Sequence, residues 1–215
     1  MFGCLRRLGC LVLLALIAAV WYWYARVEPA RSGKTGSYVA GAWEPLSQSN
    51  AVKGQRAVES IGKRSGPVFA NLSASEAASY IFLAASKGQL PPSADSISSS
   101  IIGDRLYVRT MLALNELGAK KVLGPLASML SERDTVVLGG TMKVIRPGLG
   151  QFLVEDVKIG ALKIPSPLIS GLVAQMRRGV IPTGVAQNGF PMSLPDYISD
   201  IRIANGRITV YKNTP

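Results

Sequence analysis

Residues 101–114 read IIGDRLYVRTMLAL and hold the clearest strand pattern in the chain. Gly103-Asp104 separates the apolar pair Ile101-Ile102 from a segment in which every second side chain is apolar. Glycine and aspartate are common in hairpin turns, and a period of two is typical of a strand that buries one face. The stretch therefore predicts an antiparallel hairpin. The residues predicted on the buried face of its second strand are Leu106, Val108, Thr110, Leu112 and Leu114.

The segments further along the chain repeat this strand period. Val136, Leu138 and Met142 predict a strand in which Gly139-Gly140 indicates a bulge or a close approach of two backbones. Asn205-Gly206 is a strong signal for a two-residue hairpin turn. The other predicted strand positions are Phe152, Val154 and Val157 after the turn Arg146-Pro147-Gly148, and Ile201, Ile203, Ile208 and Val210 around Asn205-Gly206.

Two helices are predicted between these strands. Ser73 and Glu76 form a capping box, which predicts a helix that runs to about Ser86. Ser166 followed by Pro167 predicts the start of a second helix that Gly179 ends. The apolar stripe of the second helix contains Leu168, Ile169, Leu172, Val173 and Met176. Hairpins that alternate with helices predict an α+β domain over residues 66–215.

The N-terminal segment predicts a membrane anchor over residues 1–25. The stretch Leu8–Ala25 carries no charge and is long enough to cross the hydrocarbon core as a helix. It ends in Trp21–Tyr24, and aromatic side chains favour the membrane interface. The alternative is a cleaved signal peptide, but cleavage needs small residues where this run has four bulky aromatics.

The charges around the anchor leave its orientation nearly balanced, because Arg6 and Arg7 face Arg26, Arg31 and Lys34 across it. A short tail in front of a signal-anchor usually stays inside. We therefore expect a single-pass protein of the cytoplasmic membrane with its soluble domain on the extracytoplasmic side, periplasmic or outer. Residues 26–65 predict a linker, in which 46–63 has a weak helical pattern.

Composition excludes several kinds of chemistry. The chain has no histidine, and its two cysteines, Cys4 and Cys10, precede the predicted domain. A Ser-His-Asp triad, a cysteine nucleophile, a typical zinc site and a disulfide within the domain are therefore excluded. Lys and Arg number 24 against 13 Asp and Glu, and these charges are dispersed. Such dispersion favours anionic lipid or polyanionic wall material over nucleic acid as a partner.

Short motifs that match catalytic signatures fail on their context. Ser60–Lys63 and Lys34–Gly36 match two motifs of penicillin-binding enzymes, but they occur in the reverse order, and no Ser-Asp-Asn motif accompanies them. Asp196 and Asp200 flank a predicted solvated turn. The sequence predicts no enzyme, no metal and no cofactor, and a hydrolase that relies on carboxylates alone ranks last among the hypotheses.

Several junctions together resemble a known family pattern. They are Leu72–Glu76 at a helix start, Ile159–Pro165 between a strand and a helix, Leu194–Ile198, and Asp200–Ile208 around the last hairpin. With the anchor and stalk, this order resembles membrane-anchored bacterial domains that are similar to the tubular lipid-binding (TULIP) superfamily. The resemblance covers roughly residues 66–215. It implies a curled antiparallel sheet packed on two or three helices, with an apolar groove for acyl chains.

The resemblance leads to two hypotheses of different class. The first is a membrane-tethered domain that binds or handles lipid, with the bilayer and an anionic lipid as partners. The second is a non-catalytic accessory subunit that docks another envelope protein. The candidates for the lipid groove are Leu106, Val108, Leu112, Val136, Leu138, Met142, Leu172 and Met176.

Overall fold

The computed structural model describes residues 42–84, 95–113, 122–177 and 179–213. The predicted anchor over residues 1–25 and the first part of the predicted linker, residues 26–41, lie outside these residues. The compact unit that contains the sheets runs from Ala40 to Pro215. Within the described ranges, no helix is both long enough and apolar enough to cross a membrane.

The described part of the chain forms two antiparallel sheets of seven and three strands. The larger sheet has the order β1-β3-β4-β5-β6-β7, with β8 also paired to β6, and the smaller has the order β2-β10-β9. Antiparallel sheets and helices agree with the α+β class predicted from the sequence. The strands are β1 Glu44–Pro45, β2 Phe69–Leu72, β3 Asp95–Ile102, β4 Arg105–Ala113, β5 Arg133–Arg146, β6 Leu149–Ile159, β7 Leu162–Lys163, β8 Gly189–Ser193, β9 Ile198–Ala204 and β10 Arg207–Lys212.

The hairpin predicted at residues 101–114 is confirmed. Ile102 pairs with Arg105 across the turn, and Leu106, Val108 and Leu112 are buried on one face of β4. Leu114 lies outside the described residues. Tyr107, on the opposite face, is also buried at 7% exposure, although alternation alone would leave it in solvent.

The glycine pair in β5 explains how Tyr107 is buried. The pairing of β5 with β6 shifts register between Gly139 and Gly140, which confirms the predicted bulge. A Cβ atom on Gly139 would lie 2.3 Å from the Tyr107 ring, and one on Gly140 would lie 2.0 Å from the carbonyl oxygen of Leu153. The missing side chain of Gly139 leaves room for the Tyr107 ring, and that of Gly140 lets the backbone of β6 come close.

The smaller sheet is built on the hairpin predicted at Asn205-Gly206. Both turn residues have positive φ, 52° for Asn205 and 71° for Gly206, as the tightest hairpin turn requires. Ile208 of β10 pairs with Leu72 on one side and with Ile203 on the other. Since side chains that pair directly lie on the same face, one face of this sheet is apolar and enters the core.

Helix α1, Gln48–Gly62, occupies a segment whose sequence showed only a weak helical pattern. The hydroxyl of Ser47 accepts a hydrogen bond from the backbone N–H of Asn50, and Val58 and Ile61 enter the same core as the sheets. A Cβ atom on Gly54 would lie 2.6 Å from the carbonyl oxygen of Glu76. Gly54, which lowers intrinsic helix propensity, is thus the contact that admits the neighbouring helix.

Helix α2, Ala74–Ala78, begins with the predicted capping box. Ser73 Oγ accepts from the N–H of Glu76 at 3.2 Å, and Glu76 Oε2 accepts from the N–H of Ser73 at 3.0 Å. The chain continues as a π-helix over Ser79–Ala84. The predicted end near Ser86 lies outside the described residues.

Helix α3, Ser166–Met176, has boundaries that differ slightly from those predicted. Pro165 is the N-cap and Ser166 is the first helical residue, without a side-chain cap, so the prediction for Ser166 is wrong by one position. The carbonyl of Pro165 accepts from the N–H of Leu168 and starts the helix. Arg177 is the C-cap, two residues before Gly179. A 3₁₀ helix over Gly124–Met129 completes the described helical segments.

Candidate functional site

The eight predicted groove residues lie together in one apolar core. Val108 pairs with Leu138 and Leu106 pairs with Gly140 across β4 and β5, while Leu172 and Met176 lie on α3. Leu138 and Met176 are partly buried and pack against the core cluster. The other six have exposed fractions of 0–7%, so solvent has almost no access to them: Leu106, Val108, Leu112, Val136, Met142 and Leu172.

The outer face of the larger sheet carries a network of polar groups that contact one another. Glu155 accepts a hydrogen bond from Thr141 Oγ1 at 3.1 Å and forms an ion pair with Arg105 Nε at 3.0 Å. The hydroxyl of Tyr107 lies 3.4 Å from Asp156, whose carboxylate also pairs with Lys163 Nζ at 3.6 Å. Mutual contacts of this kind are typical of a structural network rather than a binding site.

The charge of Arg105 follows from this network. Partial burial by itself lowers the pKa of the guanidinium, but the carboxylate of Glu155 and the hydrogen bond with Tyr107 outweigh burial and raise the pKa. Arg105 therefore stays protonated and serves as the fixed partner of Glu155.

The outer face of the smaller sheet has a different composition. Register brings Phe69, Tyr211 and Asp200 into one row and Asn71, Thr209 and Arg202 into the next. We call this surface the aromatic face and define it by these residues: Phe69, Asn71, Asp200, Arg202, Thr209 and Tyr211.

Two rings and one guanidinium form the centre of the aromatic face. The ring centroids of Phe69 and Tyr211 are 6.1 Å apart and tilted by 43°. The guanidinium carbon of Arg202 lies 5.2 Å from the centroid of the Tyr211 ring, within the range of a cation–π contact. Phe69 keeps 49% of its surface exposed. This surface therefore offers apolar area and a cation to a ligand.

Polar groups hold Arg202 and the rest of the face in position. Arg202 Nε donates to Asp200 Oδ2 at 2.7 Å, and this hydrogen bond, with the carboxylate charge, raises the pKa of Arg202. Thr209 Oγ1 donates to Asn71 Oδ1 at 2.8 Å. Lys212 Nζ donates to the backbone carbonyl of Lys63 at 3.1 Å, so the ammonium of Lys212 is a further cation at the end of β10.

Strand β2 forms one border of the aromatic face. Among the described strands, β2 pairs only with β10, so it is an edge of the sheet. Val68, immediately before β2, and Phe69 are each 49% exposed. A strand edge with exposed apolar side chains is a template for pairing with another chain.

Sequence reasoning missed this face because its members are far apart in the chain. The sequence predicts a return strand through Ile208 and Val210, which Tyr211 follows, and predicts no element at Phe69. The available signal was the alternation of Arg207, Thr209 and Tyr211 against Ile208 and Val210, which assigns the first set to the solvent side.

The described residues contain no group of three or more His, Cys, Asp or Glu side chains that could hold a metal ion. Comparisons of the chain with protein-family models, with curated proteins and with solved structures find no match. The function of the chain is therefore inferred from the geometry of the two sheet faces and from the sequence.

Proposed function

We propose that the chain is a non-catalytic, membrane-tethered protein whose domain docks an extended segment of another envelope protein on the aromatic face. The observation that supports this proposal most directly is the exposed sheet face with two aromatic rings, which is bordered by the edge strand β2. In strand addition, backbone hydrogen bonds supply affinity and side-chain contacts on alternate positions supply specificity. Both requirements are present at Phe69–Leu72.

The charge of the aromatic face favours an acidic partner segment. Arg202, Arg207 and Lys212 lie on the two strands that follow β2 in the sheet, whereas Asp200 is already paired with Arg202. Complementary charge mainly speeds association and selects the partner, while the buried aromatic contact supplies most of the affinity.

The tether is part of the proposal. The uncharged stretch Leu8–Ala25 supports a single membrane-spanning anchor with the domain on the extracytoplasmic side. Anchorage confines the domain to two dimensions and raises its effective concentration near other membrane proteins. A weak docking contact on the aromatic face then suffices for function.

Lipid handling by a TULIP-like domain is the competing proposal. The family-like junctions and the convergence of eight apolar residues support it, since a tubular lipid site needs an apolar interior. The low exposure of six of these residues supports a filled core and therefore ranks docking first. The competing proposal also includes the curled sheet wrapped around a helix that the family resemblance implies.

Photocrosslinking in intact cells tests docking. A photoreactive phenylalanine analogue at Phe69 in the full chain should crosslink to one protein, and the same analogue at Met111, which is 45% exposed on the larger sheet, is the control. Equal crosslinking of both positions, or none at Phe69, contradicts docking on this face.

Mass spectrometry of the purified full chain tests the lipid proposal independently. Acyl-chain lipid that stays bound in stoichiometric amount through detergent exchange would support it. Replacement of Val108 or Val136 by Trp should then expel the lipid. A filled core predicts instead no retained lipid, and a loss of stability of about 1–3 kcal/mol for each substitution.

Three measurements test the tether. The full chain should resist carbonate extraction and retain Met1 to Ala25, and a reporter fused after Pro215 should be active outside the cytoplasm. N-terminal sequencing that starts after residue 19 would identify a cleaved signal peptide, and a reporter active only in the cytoplasm would reverse the topology.

A further inference from the structure

The connection between α3 and β8 exposes the most solvent-accessible large apolar side chain among the described residues. Val180 is 96% exposed, and its neighbour Ile181 is 36% exposed. Gly179 and Gly184 flank the tip with positive φ values of 83° and 95°. We call residues 179–184 the Val180 loop.

The base of the Val180 loop is held firmly, although its tip lies in solvent. Arg177 Nη1 donates to the carbonyl of Ala186 at 3.1 Å and to that of Gly189 at 3.3 Å. Gln151, buried at 8% exposure, accepts from the N–H of Ala186 at 2.8 Å. Asn188 Nδ2 donates to the carbonyl of Val154 at 2.7 Å. The exposure of Val180 is therefore imposed by an ordered frame.

The hydrogen-bonded frame restricts the positions that the side chains of Val180 and Ile181 can take. Pro182 follows Ile181 directly, and the N–H of Val185 donates to the carbonyl of Pro182 at 3.3 Å, which closes a turn. A loop that is closed by its own turn and clamped at its base cannot fold its tip back into the core without losing these bonds. An apolar tip that is held outward is suited to burial in a non-aqueous phase, such as the apolar interior of a bilayer.

The charge of the sequence on either side of the loop favours an anionic bilayer. From Val157 to Pro195 the sequence contains no acidic residue, and its cations are Lys158, Lys163, Arg177 and Arg178. The guanidinium of Arg177 lies at the loop base, between two backbone carbonyls. Apolar side chains at the tip of a loop whose flanking sequence carries cations and no carboxylate match an anionic bilayer, where the tip enters the acyl boundary and the positive charge attracts the headgroups.

We propose that the Val180 loop inserts Val180 and Ile181 into an anionic bilayer surface and gives the domain a second membrane contact. The inference rests on the proposed membrane tether, but it involves other residues than the aromatic face and does not depend on docking. It would fix the orientation of the domain on the membrane, which a single N-terminal tether leaves open.

A fluorescence experiment on the full chain tests insertion. Cys4 and Cys10 are replaced by Ser, and Thr183, an exposed residue of the loop, is replaced by Cys and labelled with an environment-sensitive dye. The labelled chain is reconstituted into vesicles of pure phosphatidylcholine, or into an equimolar mixture with phosphatidylglycerol. We expect a blue shift of the emission, together with quenching by lipids spin-labelled in the acyl chain, in the anionic vesicles.

Matched variants separate insertion from mere proximity. Val180→Asp should abolish the blue shift and the quenching, whereas Met111→Asp, which adds the same charge at an exposed apolar side chain of β4, should retain both. Val180 and Met111 are both exposed, so neither variant should prevent folding. Because both leaflets have the same composition, the readout holds for either direction of anchor insertion.

The proposal fails if the label at position 183 stays water-like in the anionic vesicles, or if Val180→Asp leaves the quenching unchanged. A loop that contacts a protein partner gives the first of these outcomes, because the vesicles contain no other protein. Equal insertion in neutral and anionic vesicles overturns the role assigned to the cations.

Discussion

The outer faces of the two sheets differ in how their polar and aromatic groups are used. On the larger sheet, Tyr107 lies on Gly139 and is buried, and Glu155 binds both Arg105 and Thr141. On the smaller sheet, Phe69 remains half exposed beside Tyr211. The polar contacts on the larger sheet stabilise the fold, whereas Phe69 on the smaller sheet leaves apolar area exposed to solvent and available for binding.

The most severe test of the core beneath both sheets is Leu172→Asp. Leu172 is fully buried, so the variant places an unpaired carboxylate in the apolar core and should lower the free energy of unfolding by about 4 kcal/mol. Urea unfolding followed by circular dichroism measures the loss. Gln175→Asp, on the exposed side of the same helix, is the control, and an equal loss in both variants would contradict the assigned helix face.

Gly139→Ala tests the contact between Gly139 and the Tyr107 ring on the outer face of the larger sheet. The added Cβ would overlap the Tyr107 ring, so we expect a loss of about 1–3 kcal/mol in the free energy of unfolding. Tyr107→Leu should relieve part of that loss when combined with Gly139→Ala. Strict additivity of the two substitutions in a double-mutant cycle would show that the ring contact does not carry the effect.

A pair of charge-neutralising substitutions compares the faces directly. Glu155→Gln removes a partly buried ion pair and should cost about 1 kcal/mol, with partial exposure of both partners limiting the effect. Asp200→Asn removes the more exposed ion pair with Arg202 and should leave the unfolding midpoint nearly unchanged. The reverse order of effects would mean that the smaller sheet also depends on its outer face for stability.

Phe69→Ser should have a small effect on stability and a large effect on docking. Half of the Phe69 surface is already in solvent, so the free energy of unfolding should change by less than about 1 kcal/mol. To measure docking in this variant, the photoreactive analogue is placed at Thr209 on the same face. Crosslinking from Thr209 should fall when Phe69 is Ser, and unchanged crosslinking would remove the ring from the docking surface.

Local patterns determined most of the elements in the described residues. The hairpins at Gly103-Asp104 and Asn205-Gly206, the bulge at Gly139-Gly140 and the capping box at Ser73 were all predictable, because each depends on residues within a few positions of one another. The burial of Leu172 likewise followed from helical spacing. These features need no knowledge of the rest of the chain.

Tertiary structure alone decided which polar-side residues are exposed and which are covered. Tyr107 and Tyr211 both occupy the polar side of a strand, and only contact with a distant glycine buries the first. Helix α1 gains its stability from packing against α2 through Gly54, which helix propensity counts as a defect. Phe69 meets Tyr211, and Arg177 meets Ala186, through pairings that no local pattern encodes. Sequence periodicity states which side of an element a residue is on, but the neighbours that cover that side come from elsewhere in the chain.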